Sequence, residues 1–200
     1  MSKLWLACGG ILLASSLQAG TIYDDVLAAP SGVDSIETDG PLYDSFSTGA
    51  SSGTLSNVEL LLYAGGAADG PITVGLYSDN GTTPGSLIAV LETFDDSTLR
   101  GGFQLVTLVL AANPGLSAET RYWIGVFGET ADGWAYTTDT SGTGVAGEYY
   151  SNSGGTSQNE DGGGFQMEVG ITPAPEPSTF FASMLFALAM FRRATRPLQR

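Results

Sequence analysis

The fold class is decided by the stretch Ile72-Thr-Val-Gly-Leu-Tyr-Ser-Asp-Asn-Gly-Thr-Thr-Pro-Gly-Ser-Leu-Ile-Ala-Val-Leu-Glu-Thr93. Its apolar residues alternate from Ile72 to Leu76, so they fall on one face of an extended chain. Asp79-Asn80-Gly81 and Thr83-Pro84-Gly85 then give strong turn signals. The run Leu87–Thr93 is again rich in residues that favour strands. The stretch therefore predicts two strands joined by a turn.

The same pattern continues along the rest of the body, where short β-rich runs alternate with Gly, Asp, Asn, Ser and Pro. No stretch of the body has helical spacing over three turns, which predicts an all-β, two-sheet antiparallel β-sandwich of jelly-roll type, with a barrel as the alternative. Phe103–Leu110 is nearly continuously apolar, which is typical of a central strand. The predicted strands are Leu42–Thr48, Ser56–Tyr63, Ile72–Tyr77, Leu87–Thr93, Phe103–Leu110, Arg121–Phe127, Trp134–Thr138, Val145–Tyr150 and Phe165–Ile171.

The N-terminus has the three parts of a secretory signal peptide. Lys3 supplies the positive charge, Leu4–Leu17 is an apolar helix, and Ala19 is the small residue after which cleavage is expected, leaving Gly20 as the new N-terminus. Cys8 suggests a lipoprotein, but only a few residues precede it and the apolar run continues well past it. Cys8 is therefore interpreted as a small apolar residue of the signal helix.

The C-terminus carries a second apolar segment, Phe180–Phe191, between a Pro-Glu-Pro break and an arginine cluster. A helix of these twelve residues would be about 18 Å long, against a hydrocarbon core of about 30 Å. It is therefore short for a permanent anchor and better suited to a transient one. The arginines are expected to stay on the cytoplasmic side of the membrane.

This three-part order resembles the PEP-CTERM sorting signal, through Pro175, Glu176 and Pro177, the apolar run, and Arg192 and Arg193. The resemblance implies a membrane-embedded sorting enzyme of exosortase type as a partner, which would cut near Pro-Glu-Pro. It also implies a precursor held transiently in the inner membrane and a mature protein at the cell surface or in the extracellular matrix.

Four parts of the body form a second recognisable pattern: Thr73–Ser86, Glu119-Thr-Arg-Tyr-Trp-Ile-Gly125, Trp134 and Gly144-Val-Ala-Gly-Glu-Tyr-Tyr150. Together they resemble the choice-of-anchor R type of bacterial surface domain. Such domains are exported and joined to various C-terminal anchors. The resemblance implies a surface domain and carries no enzymatic activity with it.

Composition excludes several functions of the body, which is predicted to span residues 20–172 between a signal peptide (1–19) and a sorting segment (173–200). From Gly20 to Pro177 there are two arginines and all 21 acidic residues of the chain, a formal charge of −19. Such a charge excludes nucleic acid as a partner. The body has no His, Cys or Lys, which removes Ser-His-acid triads, the usual zinc sites and Schiff-base chemistry. Only a two-carboxylate glycosidase remains as an enzymatic alternative, and the prediction is that the protein is not an enzyme.

Calcium is the one candidate cofactor, because acidic turns supply the hard oxygen ligands that it needs. The candidate ligands are Asp79, Asn80 and Thr82 in one turn, and Glu160 and Asp161 in a glycine-rich loop. Neither segment matches an EF-hand loop. A simple hairpin turn is the favoured interpretation of Asp-Asn-Gly.

Carbohydrate is the other candidate ligand, through aromatic rings that could stack on sugars. Trp134, after an Asp-Gly turn, is the first candidate, followed by Tyr136 and Tyr149; core or interface packing is the favoured interpretation of each ring. The sequence thus predicts an exported surface protein with a structural or adhesive β-sandwich in an extracellular polysaccharide matrix. The alternatives are a calcium- or carbohydrate-binding module and, behind these, a glycosidase.

Overall fold

The computed structural model describes residues 19–66, 70–81, 83–142, 144, 151–153 and 163–174. This part of the chain is all-β, with one short 3₁₀ turn at Asp96–Thr98. The strands are β1 (Gly20–Asp24), β2 (Gly32–Ser35), β3 (Leu42–Ser47), β4 (Gly53–Ala64), β5 (Pro71–Asp79), β6 (Pro84–Asp95), β7 (Gly102–Thr107), β8 (Gly115–Leu116), β9 (Arg121–Phe127), β10 (Gly133–Thr137), β11 (Ser151–Ser153), β12 (Gly164–Phe165) and β13 (Met167–Pro173).

The strands form two antiparallel sheets. The eight-stranded sheet has the order β1-β13-β4-β10-β12, with β2 added to β10 and with β7 and β8 added to β4. The five-stranded sheet has the order β11-β3-β9-β5-β6. The predicted two-sheet antiparallel sandwich is confirmed. The two helices predicted to flank it lie outside the described residues.

The core lies between the sheets and follows the period-two alternation of the strands. Val58, Leu60 and Leu62 of β4 are fully buried on one side, and Leu76 of β5 and Ile124 of β9 are fully buried on the other. Side chains alternate between the two faces of a strand, so the residues between these point outward. Both sheets and the described core lie within residues 20–174, so this segment contains what the sandwich requires to fold.

The apolar run Phe103–Leu110 is not a central strand, and that prediction was wrong. β7 ends at Thr107 and pairs only with β4 among the described strands. The chain then crosses from one sheet to the other: the Leu108 amide donates to Val58 O (2.9 Å) and the Ala111 amide donates to Leu91 O (2.7 Å). The apolar side chains of the run are therefore divided between surface and core: Phe103, Leu105 and Val109 are exposed, and Leu108 is buried in the core.

The first and last described strands are neighbours. β1 pairs antiparallel with β13, from Gly20 opposite Ile171 to Asp24 opposite Glu168. β13 also pairs along its whole length with β4, so the last strand lies inside the sheet. No helix among the described residues has the length and apolar character needed to cross a membrane.

Candidate functional site

The outer face of the five-stranded sheet carries a cluster of aromatic side chains from three adjacent strands. Directly opposed residues of an antiparallel ladder point to the same side. The ladders place Tyr43 opposite Gly125, Gly125 opposite Gly75, and Thr73 opposite Phe127. Tyr77 follows two residues after Gly75 and shares its side. Tyr43, Tyr77 and Phe127, here called the aromatic face, therefore point away from the core.

The three rings contact one another. Tyr43 meets Tyr77 and Phe127 edge-on, with both centroid distances at 5.4 Å and interplanar angles of 86° and 84°. Tyr77 and Phe127 are tilted by 44° at 5.7 Å. These are the offset and edge-to-face geometries that aromatic pairs prefer. Tyr77 and Phe127 remain partly exposed, whereas Tyr43 is buried between them.

Two glycines form the floor beneath these rings. A Cβ on Gly125 would lie 2.6 Å from Tyr43 Cε1 and 2.9 Å from Tyr77 Cε2, and a Cβ on Gly75 would lie 2.9 Å from the same Tyr77 atom. The Tyr77 ring therefore lies across both glycines, with one side against the backbone and the other turned outward. Any larger residue at either position would lift the ring off the sheet.

The tyrosine hydroxyls stay protonated. Burial raises the pKa of Tyr43 above its ordinary value. Burial, and then the neighbouring Tyr43, raise the pKa of Tyr77 to about 12. Each hydroxyl is therefore a neutral group that can donate and accept hydrogen bonds. Two such hydroxyls beside flat rings suit a ligand that has both apolar faces and hydroxyl groups.

The aromatic face continues into a cleft of about 440 Å³, because Phe127 belongs to both. This size falls within the range of about 300–1,000 Å³ that is usual for small-ligand sites. Two exposed carboxylates, Glu37 and Glu129, line the cleft beside Pro41 and Thr73. Sheet, loops and rings thus provide one concave, mixed polar and aromatic surface.

The predicted sugar-stacking residues do not form this surface. Trp134 is fully buried in the core, so its candidate stacking role was wrong and the favoured interpretation of core packing is confirmed for it. Its ring stacks on Phe165 at 4.9 Å and its Nε1 donates to Gln166 O at 2.9 Å. Tyr136 is partly buried, packs against the core and covers Gly32. Tyr149 lies outside the described residues.

The Asp-Asn-Gly segment is a turn that is closed by its own hydrogen bonds. Asp79 accepts from the Gly81 amide with Oδ2 (3.1 Å) and from Trp123 Nε1 with Oδ1 (2.8 Å). The Asn80 amide donates to Thr83 O (2.9 Å). Thr82, Glu160 and Asp161 lie outside the described residues. Within the described ranges, no group of three acidic, His or Cys side chains is placed to hold a metal.

Two aspartates in the core form a cluster that the sequence did not indicate. Tyr23 Oη lies 3.3 Å from Asp25 Oδ2 and 3.4 Å from Asp44 Oδ2, and all three residues are buried. The Met167 amide donates to Asp25 Oδ1 and the Ser45 amide donates to Asp44 Oδ1, both at 2.8 Å. Burial raises the pKa of Asp25 to about 7. Burial, and then the charge of Asp25, hold the pKa of Asp44 well above its ordinary range.

The predicted processing sites flank the sandwich. Ala19 and Gly20 are exposed, and β1 begins at Gly20. β13 ends at Pro173, and the Ala174 amide donates to Ser52 O at 2.9 Å. Pro175, Glu176, Pro177, Arg192 and Arg193 lie outside the described residues. No protein-family model matches the chain, and no curated protein matches it significantly; both resemblances therefore remain predictions.

Proposed function

We propose that this chain is an exported surface protein whose sandwich holds neutral polysaccharide of the extracellular matrix on the aromatic face. The observation that carries the proposal is the glycine-floored cluster of Tyr43, Tyr77 and Phe127 leading into a hydroxyl- and carboxylate-lined cleft. Sugar rings have an apolar face that packs on aromatic rings and a rim of hydroxyls that bond to polar groups. A structural or adhesive role follows from this binding.

The negative charge of the protein favours neutral over anionic polysaccharides as ligands. Residues 20–177 carry two arginines against 21 acidic residues, and Glu37 and Glu129 line the cleft itself. An anionic polymer would be repelled at this surface, whereas a carboxylate accepts hydrogen bonds from neutral sugar hydroxyls. The proposed ligand class is therefore a neutral hexose polymer.

The side chains that line the cleft fit polysaccharide binding better than they fit polysaccharide hydrolysis. A glycosidase places two carboxyl groups on either side of the scissile bond, with the acid enclosed in an apolar pocket. Glu37 and Glu129 are both solvent-exposed. Exposed carboxylates can accept hydrogen bonds from sugar hydroxyls, which suits an adhesive role.

The proposed function also includes export of the chain and its sorting at the C-terminus. The N-terminal signal pattern would carry the chain across the inner membrane, and an exosortase-type enzyme would act at Pro175-Glu176-Pro177. The position of this motif in the sequence supports it, because the last described strand ends at Pro173 and a cut at the motif would leave both sheets whole.

Replacing Pro175-Glu176-Pro177 by three alanines is expected to leave the protein uncut and membrane-bound, because the enzyme would lose its recognition site. The measurement is immunoblotting of membrane and extracellular fractions from cells that carry the sorting system. Replacing Ser151-Asn152-Ser153 by alanines in a parallel strain is the control. Normal release of the Pro-Glu-Pro variant would contradict the sorting proposal and would leave the polysaccharide proposal standing.

Phe127→Ala is expected to weaken binding to neutral polysaccharide about tenfold or more, because buried aromatic anchors dominate such interfaces. Binding is measured by calorimetry and by affinity electrophoresis of residues 20–174 against soluble neutral glucans and mannans, with alginate as the anionic comparison. Glu129→Gln, on the cleft wall, provides a second variant that leaves the rings in place and is expected to weaken binding less.

Phe103→Ala is the matched control, because Phe103 is also an exposed aromatic residue but lies on the opposite sheet. It should bind like the wild type. Equal losses in Phe127→Ala and Phe103→Ala, or tighter binding of alginate than of the neutral polymers, would contradict the proposed site. Release of reducing sugar during the experiment would revive the glycosidase alternative.

A further inference from the structure

We propose that a second copy of this chain docks on the outer face of the eight-stranded sheet, through an apolar strip on β4 and β7. This surface is opposite the aromatic face and is separate from the proposed polysaccharide site. The inference neither uses nor requires polysaccharide binding, so the two proposals can fail independently.

The strip consists of two cross-strand pairs. Tyr63 is opposite Phe103, and Leu61 is opposite Leu105. Leu60 and Leu62 are fully buried, so Leu61 and Tyr63 point to the outer side. The rings of Tyr63 and Phe103 meet edge-on at 5.2 Å, and Phe103 and Leu105 are 47% and 46% exposed. Four apolar side chains thus form one contiguous surface, which on a soluble domain marks a contact site.

The strip has opposite charges at its two ends. At the Leu61 end, Glu59 and Glu168 are directly opposed on the same side of the sheet. Thr107 Oγ1 donates to Glu59 Oε1 (2.9 Å), and Thr21 Oγ1 donates to Glu168 Oε1 (3.1 Å). At the Phe103 end lies the exposed Arg100, two residues before β7 begins. The body has only one other positive side chain.

Directly opposed like charges destabilise a sheet unless a counter-charge is supplied. No Lys or His exists in the body to supply it. The arginine of another copy is the counter-charge that this chain itself offers, and it lies at the far end of the same strip.

A two-fold arrangement brings these charges together. Consider an axis that lies in the interface, perpendicular to the strands and close to Leu61 and Leu105. Rotation about it places the Phe103 end of one copy over the Glu59 end of the other. Glu59 and Tyr63 are four positions apart, which is about 13 Å along a strand. The apolar residues then pack on each other, and each Arg100 approaches the two glutamates of its partner, as an isologous interface requires.

Sedimentation equilibrium of residues 20–174 at low salt, over about 1–300 µM, tests the proposal. A monomer–dimer equilibrium is expected. Phe103→Thr keeps a strand-forming residue and removes the ring, and it should raise the dimer dissociation constant about tenfold or more. Leu87→Thr is the matched control, because Leu87 is 51% exposed on the other sheet. It should leave the constant unchanged.

Charge reversal at the exposed Arg100 and the partly exposed Glu168 gives a second, independent test. Arg100→Glu should weaken the dimer, and the double variant Arg100→Glu, Glu168→Arg should dimerise more tightly than Arg100→Glu alone, because positions 100 and 168 then again carry opposite charges while Glu59 is unchanged. A protein that stays monomeric throughout the range overturns the proposal. So does an effect of Leu87→Thr equal to that of Phe103→Thr, or a double variant no tighter than Arg100→Glu alone.

Discussion

Asp25→Asn is expected to make the protein more stable than the wild type at pH 8, by up to about 4 kcal/mol. The wild-type carboxyl is buried beside Asp44 and bonds to the Tyr23 hydroxyl. Burial raises its pKa from 3.8 to about 7, against the smaller opposing effect of the Met167 amide. An asparagine keeps the Oδ1 acceptor for that amide and can donate to Tyr23 with Nδ2, but it carries no charge.

The sign of the pH dependence follows from the raised pKa. Between about pH 4 and pH 7, the folded protein keeps a proton on Asp25 that the unfolded chain releases. The stability contributed by the protonated carboxyl is therefore fully present below about pH 4 and is lost as the pH rises through 7. The raised pKa of Asp44 acts in the same direction. Asp24 is a nearby charge that adds to the shift of Asp25.

Urea unfolding of both proteins at several pH values between about 4 and 8 measures this effect. The free energy of unfolding of the wild type should fall across the range, and that of Asp25→Asn should fall less steeply. Glu37→Gln, which neutralises an exposed carboxylate, should behave like the wild type. Parallel curves for the wild type and Asp25→Asn would show that Asp25 does not control the pH dependence of stability.

Trp134→Ala is expected to lower the free energy of unfolding by about 3–5 kcal/mol. The side chain is fully buried, stacked on Phe165 and bonded to Gln166 O. The alanine variant would leave a cavity between the sheets. Thermal unfolding should show a melting temperature lower by about 10 °C or more.

Trp134→Phe is the matched variant, because it keeps a ring against Phe165 and removes the Nε1 donor. Its expected loss is smaller, about 1–3 kcal/mol, from the smaller ring and one lost hydrogen bond, because the Leu61 amide still donates to Gln166 O (3.0 Å). Below their melting temperatures, both variants should bind polysaccharide as the wild type does. Weakened binding by a folded Trp134 variant would place the tryptophan at the ligand surface and contradict its assignment to the core.

Alternation and turn residues were enough to predict the sandwich, because period-two burial is a local property. These local patterns failed where tertiary contacts determine whether a side chain is exposed. Trp134 follows an Asp-Gly pair that suggests an exposed turn. Asp132 is instead buried and accepts from the Gly65 amide, and Gly133 is paired with both Tyr63 and Ser35. β10 therefore has paired strands on both sides, and the side chain of Trp134 is buried in the core.

The aromatic face could not be predicted, because its members come from strands far apart in the sequence. Only the register of the ladders brings Tyr43, Tyr77 and Phe127 together. One signal was present: Gly75 and Gly125 each interrupt an apolar strand, where glycine often marks the close approach of another group. Without the register, nothing showed that the two glycines are neighbours.

The position of β13 inside the eight-stranded sheet has a mechanical consequence. A tether at Pro175 would pull on β13 along its axis, while a load held on the opposite sheet would resist. The ladders to β1 and β4 run on both sides of β13, and their hydrogen bonds lie perpendicular to the strands. Those bonds would be loaded in shear and would have to break together, not one at a time. The strand nearest the proposed attachment point is thus the one best placed to withstand pulling.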